Sequence, residues 1–280
     1  MSRYDVVKMP RSEVDVAIDA AAREGWNPGL NDAECFYTID PHGFFVGVLD
    51  GMSIGHASAL IYDQHFAFCG FYIVDEPYRG KGYGLKMTEA RLNYIGDRNA
   101  GLDGVVDMKD KYARLGYKTS HLSTRFIYSS IEPKGTADEV VPASEVPFEE
   151  LLEFDTRHFF AERENFLRCW INQSNAVSRV FLDGKKIRGF GVIRECREGF
   201  KIGPLFADQP DIAEALFRGL RNQALGKSVL LDVPEVNGAA MKLVNKYRMK
   251  PVFSCARMYL RGDPGLPLDN IYGITTFEAG

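Results

Sequence analysis

Twice along its 280 residues the chain spells the same order of elements: strand, Asp-Gly turn, strand, strand, helix, strand, helix, strand. The first pass places strands at 44–49 and 53–62 around Asp50-Gly51, then a strand at 66–74, a helix at 85–95, a strand at 102–106, a helix at 108–115 and a strand at 117–129. The second places strands at 180–182 and 187–194 around Asp183-Gly184, then a strand at 200–206, a helix at 212–225, a strand at 229–233, a helix at 237–247 and a strand at 253–260. Asp-Gly between two strand-like runs signals a hairpin, because the tight turn that matches strand twist needs residues tolerant of positive φ. In the first long helix Leu85, Thr88, Leu92 and Ile95 share one face, and Gly96 stops it. A strand at 4–9, a helix at 11–23 and a short helix opened by Asn31 precede this series. Such alternation predicts a mixed α/β fold, and its recurrence predicts an internal duplication. The expected lobes are residues 1–130 and 141–280, joined by a linker at 131–140 that is rich in breakers and charge.

The two passes differ where the third strand meets the helix. The first has Val74-Asp75-Glu76-Pro77-Tyr78-Arg79-Gly80-Lys81-Gly82-Tyr83-Gly84. Glycines at alternating positions let a ligand approach the backbone, and free N–H groups at a helix start favour an anion such as a pyrophosphate. Arg79 and Lys81 add positive charge there. A dinucleotide fingerprint fails because its third glycine would fall on Leu85, and a P-loop fails because Lys81 is followed by Gly82. What remains is Arg79-x-x-Gly82-x-Gly84, or a glycine-rich turn that holds no ligand. The second pass has Gly203-Pro-Leu-Phe-Ala-Asp-Gln-Pro-Asp211, without glycine alternation or basic residues, and Asp208 and Asp211 would repel a pyrophosphate.

The Arg-x-x-Gly-x-Gly run between strand and helix resembles the acetyl-coenzyme A signature of the GNAT N-acetyltransferase superfamily, and the likeness is strongest over residues 66–125. The resemblance implies two GNAT-like lobes in tandem, the second degenerate and unable to bind coenzyme A, its work being to complete the acceptor cleft or stabilise the first. It also implies acetyl-CoA as co-substrate. The holding residues would be Tyr72, Ile73 and Val74, on a strand that splays from its neighbour, with Arg79, Gly80, Lys81, Gly82, Tyr83 and Gly84. The amide of Val74 or its neighbour would face the thioester oxygen. The run Tyr112-Ala-Arg-Leu-Gly-Tyr117 is similar to the family's Tyr-x-x-x-Gly-aromatic run, which makes Tyr112 the general acid for the leaving thiolate. The family's asparagine before that tyrosine has no counterpart in 105–111. The activity implied is transfer of an acetyl group to a primary amine of a small molecule or amino acid, directly within a ternary complex. Two rivals stand beside it: a non-catalytic acetyl-CoA sensor, and a transferase of longer acyl groups whose pocket Phe68, Phe71 and Tyr72 would line.

The acceptor side is less defined. The strand before the glycine turn offers no carboxylate until Asp75 and Glu76; His56 and His65 are candidate bases, with a water chain as the default. Trp26 and Asp32 fall where this fold walls its acceptor cleft, although Trp26 reads more readily as core. Asp155 and Arg163 flank an aromatic cluster and would pair an amine and a carboxylate, or form a solvated helix face. The acidic run 145–155 reads as a helix start and not as a metal site.

Bulk properties exclude several classes. With 45% hydrophobic and 26% charged residues the chain supports a sizeable core, and a net charge of −4 without a basic run argues against nucleic acid as a partner. Five cysteines without a C-x-x-C pair argue for free thiols in a reducing compartment. No apolar run reaches about 18 residues and no signal peptide opens the chain, so no membrane association is expected and the default is cytoplasmic. An exposed sheet edge would permit a homodimer.

Overall fold

The computed structural model describes residues 2–129, 135, 137 and 139–280, so most of the expected linker at 131–140 lies outside the described residues. The first half runs β1 (Tyr4–Lys8), α1 (Arg11–Arg23), α2 (Asp32–Ile39), the hairpin β2 (Phe44–Leu49) and β3 (Met52–Ile61), then β4 (Phe66–Val74), α3 (Tyr83–Ile95), β5 (Asn99–Val105), α4 (Lys109–Arg114) and β6 (Lys118–Tyr128). The second half runs β7 (Val140–Pro142), α5 (Phe148–Thr156), α6 (Glu164–Ile171), the hairpin β8 (Ala176–Asp183) and β9 (Lys186–Glu195), β10 (Phe200–Ala207), α7 (Pro210–Arg221), β11 (Val229–Pro234), α8 (Gly238–Lys246), β12 (Lys250–Tyr259) and β13 (Ile271–Gly273). Asp50 and Gly51 both have positive φ, as the hairpin signal requires. None of the described helices is long and apolar enough to cross a membrane.

All the strands join one mixed sheet, ordered β1-β2-β3-β4-β5-β12-β6-β11-β10-β9-β8-β7, with β13 set beside β10. The halves are not laid side by side. The last long strand of the second half, β12, inserts antiparallel between β5 and β6, and β6 in turn pairs with β11 of the second half. Each half thereby completes the other's sheet. β4 and β5 pair in parallel only as far as Cys69 and Leu102, and β10 and β11 only as far as Ile202 and Leu231. Beyond those points each parallel pair splays.

The exchange is cemented by buried ion pairs. Arg257 on β12 forks onto Asp103 on β5 (2.8 and 2.7 Å), and Arg125 on β6 forks onto Asp232 on β11 (2.6 and 2.7 Å). A third fork joins Arg194 on β9 to Asp32 on α2 (2.7 and 3.1 Å). Such pairs fix geometry more surely than they add net stability, but removing one partner strands a buried charge. Between the halves α2 meets α6, where Phe36 stacks on Trp170 at 5.9 Å between ring centroids. Cys35 and Cys169 form a disulfide at the same contact, closing a separation of 134 residues. This corrects the expectation of five free thiols. Distant spacing in sequence hid the pairing, because only the packing of α2 on α6 brings the two sulfurs together. Cys69, Cys196 and Cys255 are free and buried.

Candidate active site

The splay of β4 from β5 opens a cavity of about 460 Å³. Its first wall is the end of β4. The β3–β4 register shifts between His56 and Ser58, and Phe71 takes a positive φ of 48°, the signature of a bulge that bends the strand away. Asp75 N–H donates to the Ile54 carbonyl at 2.9 Å. By the alternation of an antiparallel ladder, the backbone groups of Val74 then point to the opposite edge, where β5 has peeled off. The Val74 carbonyl is indeed taken from that side by Arg79 Nε at 2.7 Å.

The second wall is the glycine turn. Gly80 and Gly82 have φ of 76° and 87°, with open space where a Cβ would stand. No side chain caps α3, so its leading N–H groups remain available to an anion. At Gly84 a Cβ would lie 2.3 Å from the Tyr72 hydroxyl oxygen, so only glycine lets that ring lie against the helix. Arg79 also reaches Glu24 on the loop after α1 at 2.5 Å, which ties the turn to the first helix. Tyr72, Ile73, Val74, Arg79, Gly80, Gly82 and Gly84 all line the cavity. Lys81 and Tyr83 turn outward toward Tyr4, whose hydroxyl donates to the Tyr83 carbonyl at 3.2 Å.

Across the gap, Tyr112 on α4 closes the cavity against β5, where the absence of a side chain at Gly104 makes room for its ring. Burial pushes its phenol up to about 12, with Arg91 pulling the other way. Arg91 is buried on α3, its guanidinium 4.7 Å from the centre of the Tyr72 ring. A sequence signal for it existed: Met87, Arg91 and Ile95 stand four apart, an arginine set into a buried stripe.

Trp26 lines the cavity with Phe71, Phe253 and Phe277. The other residues expected there lie elsewhere. Asp32 is fully buried in its fork with Arg194. Asp155 and Arg163 fork onto each other (2.7 and 2.8 Å), and Arg163 also donates to Thr275. His56 is buried beside Ser53 and held below its ordinary pKa by burial, and His65 is an exposed turn residue; neither lines the cavity. Besides Arg91, Glu24 and Asp103 of the first half, sequence reasoning missed lining residues from the second half: Phe253 and Cys255 on β12, and Phe277 and Glu278 on the segment after β13.

Two profiles of acetyltransferase (GNAT) families match the chain, one over residues 13–117 and one over residues 151–273. The chain belongs to the GNAT acyltransferase family. It carries two GNAT domains in tandem, and the family's donor is an acyl-CoA. Among curated proteins it is similar to the holothin acyltransferase of Pseudoalteromonas sp. (strain SANK 73390), 26% identical over 269 residues that cover 96% of this chain and 92% of that one. It is 23% identical to the uncharacterized N-acetyltransferase YitH of Bacillus subtilis (strain 168), covering 82% of each chain. Among solved structures, one from Pyrococcus horikoshii superposes with a TM-score of 0.84 at 21% identity, covering 99% of this chain and 96% of the other. A tandem GNAT protein from the clavulanic acid biosynthesis pathway superposes with a TM-score of 0.65 at 13% identity, covering 94% and 99%.

In the second GNAT domain the equivalent splay is filled from within. β13 pairs antiparallel with β10 at Leu205 and Phe206, and the amide of Ile274 donates to the Asp232 carbonyl on β11 at 2.9 Å. The chain's own backbone thus bridges β10 and β11 where they part. The residues that follow, 274–280, are buried and run back toward the first domain.

Proposed function

We propose that this tandem GNAT protein transfers an acetyl group from acetyl-CoA to a primary amine of a small molecule, by direct attack within a ternary complex. The observation that carries the reading is one cavity lined by the glycine turn, by the end of β4 at the splay and by aromatic residues of both halves. The residues present fit a coenzyme A thioester. Gly80, Gly82 and the uncapped start of α3 suit its pyrophosphate, with Arg79 adjacent. Leu85 and Val105, which line the cavity, leave exposed apolar surface there. The Val74 amide, aimed into the splay, supplies a hydrogen bond to the thioester oxygen as charge develops there. Tyr112, protonated at any physiological pH, delivers a proton to the departing sulfur.

Direct transfer is favoured over an acyl-enzyme because the free cysteines lining the cavity are poor nucleophiles in place. Burial pushes the Cys255 thiol far up, and Cys69 packs inside with the Tyr117 hydroxyl on its sulfur. Residues 1–130 supply the donor machinery in this reading, and residues 141–280 the acceptor wall. A small amine suits a chamber of this size, and a relative is a holothin acyltransferase.

Calorimetry with acetyl-CoA on the wild type and on Arg79→Glu/Gly82→Trp tests the donor site, and thiol release over an amine library tests transfer. Binding lost in the variant, with turnover on an amine, is expected. Binding without turnover on any amine would favour a sensor, and preference for longer thioesters would replace acetyl with a larger group. Absence of binding would remove the donor reading altogether.

A further inference from the structure

Three carboxylates line the cavity, and two are already committed. Glu24 holds Arg79 at 2.5 Å, and Asp103 is forked by Arg257 at 2.8 and 2.7 Å. The third, Glu278, is not. It is 2% exposed; one oxygen, Oε2, accepts from the Thr276 hydroxyl, while Oε1 is buried with no hydrogen-bond partner among the described residues. A buried carboxylate oxygen without a donor carries a desolvation cost that a ligand N–H would relieve.

Its place in the fold is as telling as its isolation. β13 anchors the segment in the second domain's splay, and residues 274–280 then cross to the first domain. There the Glu278 backbone lies against Gly70, so close that a Cβ at that position would stand 2.1 Å from the Glu278 carbonyl oxygen. Gly70 is the first residue of β4 past its last pairing with β5 and directly precedes the bulge at Phe71. Glu278 therefore stands where the splay begins, among the residues that line the cavity with Trp26, Phe71, Phe253 and Phe277. The buried cations whose charges act on it are Arg125, Arg194 and Lys201. The first two are forked onto Asp232 and Asp32, and Lys201 donates to the Asn27 carbonyl at 2.9 Å.

We propose that Glu278, carried across from the second domain, is the catalytic carboxylate that receives the acceptor's ammonium group on Oε1 and takes its proton. This rests on the acyltransferase reading above and adds the acceptor's chemistry: a cationic primary amine on a flat or apolar body, held by one carboxylate and aromatic faces. The protons balance. Of the three hydrogens on the ammonium, one passes to Glu278, which frees the lone pair to form the C–N bond. A second leaves the nitrogen as the C–S bond breaks, replacing the proton that Tyr112 gives to the sulfur. The third stays on the amide. The proton on Glu278 is released to solvent when the products leave, so one proton is liberated per turnover.

The test uses the full chain with acetyl-CoA and, as probe acceptors, phenethylamine and its uncharged analogue 2-phenylethanol. In wild type, phenethylamine is expected to bind the CoA-loaded protein at least tenfold more tightly than the alcohol and to be acetylated. Glu278→Gln is expected to lose that preference and to lower kcat/KM by about 10²-fold, the usual worth of a positioned base, while the Kd for CoA stays within twofold. Glu278→Asp, which keeps the charge, should recover the preference for the amine even with slower turnover. Thr276→Val, which frees Oε2, should cost about tenfold or less without unfolding the chain. An E278Q protein that still prefers the amine, or that stays within threefold of wild-type kcat/KM, overturns the proposal. So does a wild type that binds acetyl-CoA yet treats the two probes alike, and that result leaves the donor reading intact. A wild type that does not bind CoA fails at the donor site instead, and the proposal falls with the reading it rests on.

Discussion

Tyr112 and Glu278 would hold and move protons in one cavity, and they differ in how each is made fit to do so. Tyr112 is raised by burial to about 12, so the phenol is a reserve of protons and never a base near neutrality. Tyr112→Phe is therefore expected to lower kcat by about 10²-fold, with the Kd for CoA unchanged by calorimetry; unchanged kcat would assign thiolate protonation to solvent. The place of Tyr112 in the cavity wall was legible because its run is local, six residues long, with a glycine stop about one turn after it. Glu278 was not legible. It stands more than 190 residues from the glycine turn, and nothing around it in sequence says that its neighbour in space is Gly70. The same blindness misplaced Asp32, Asp155 and Arg163 in the expected cleft. A lone charge in sequence looks available, and only the fold reveals that Arg194 already holds Asp32 and that Asp155 and Arg163 hold each other.

At the scale of elements, the strand–turn–helix pattern carried its meaning well. The Asp-Gly hairpins, β4, the helix after the glycine turn and the run through β11 and α8 all stand close to their expected places, because each buries one face with a clear period. Short elements escaped. β13 has three residues, and it holds its place through pairing with β10 and not through any pattern of its own. The exchange of β6 and β12 escaped for a different reason: both are long strands with forked arginines, and either pattern would suit either slot. Gly70 marks where an element and the crossing segment meet. Gly70→Ala is expected to push the Glu278 backbone off β4, costing about 1–3 kcal/mol in stability and most of the turnover. Thermal melts and thiol-release rates equal to wild type would show that the segment does not press on that strand.

The molecule as a whole is one interlocked sheet, although its sequence reads as two repeats. Three interlocked strand pairings, three buried forks between the halves and the Cys35–Cys169 disulfide leave neither half a finished sheet of its own. Calorimetric unfolding is expected to show a single transition, and residues 1–130 expressed alone should fail to give a folded monomer; two separable transitions would contradict the mutual completion of the sheets. The placement of β12 also sets an order of events in the life of the chain. The half that holds the glycine turn leaves the ribosome first, yet its sheet keeps a gap between β5 and β6 until the other half has been synthesised. The early half must wait, apolar edges open, for a strand about 120 residues downstream to arrive. Nascent chains of this protein thus keep that gap open to mispairing for nearly half of their synthesis, and a holdase that shields β5 and β6 would matter more to yield than one acting on the finished protein.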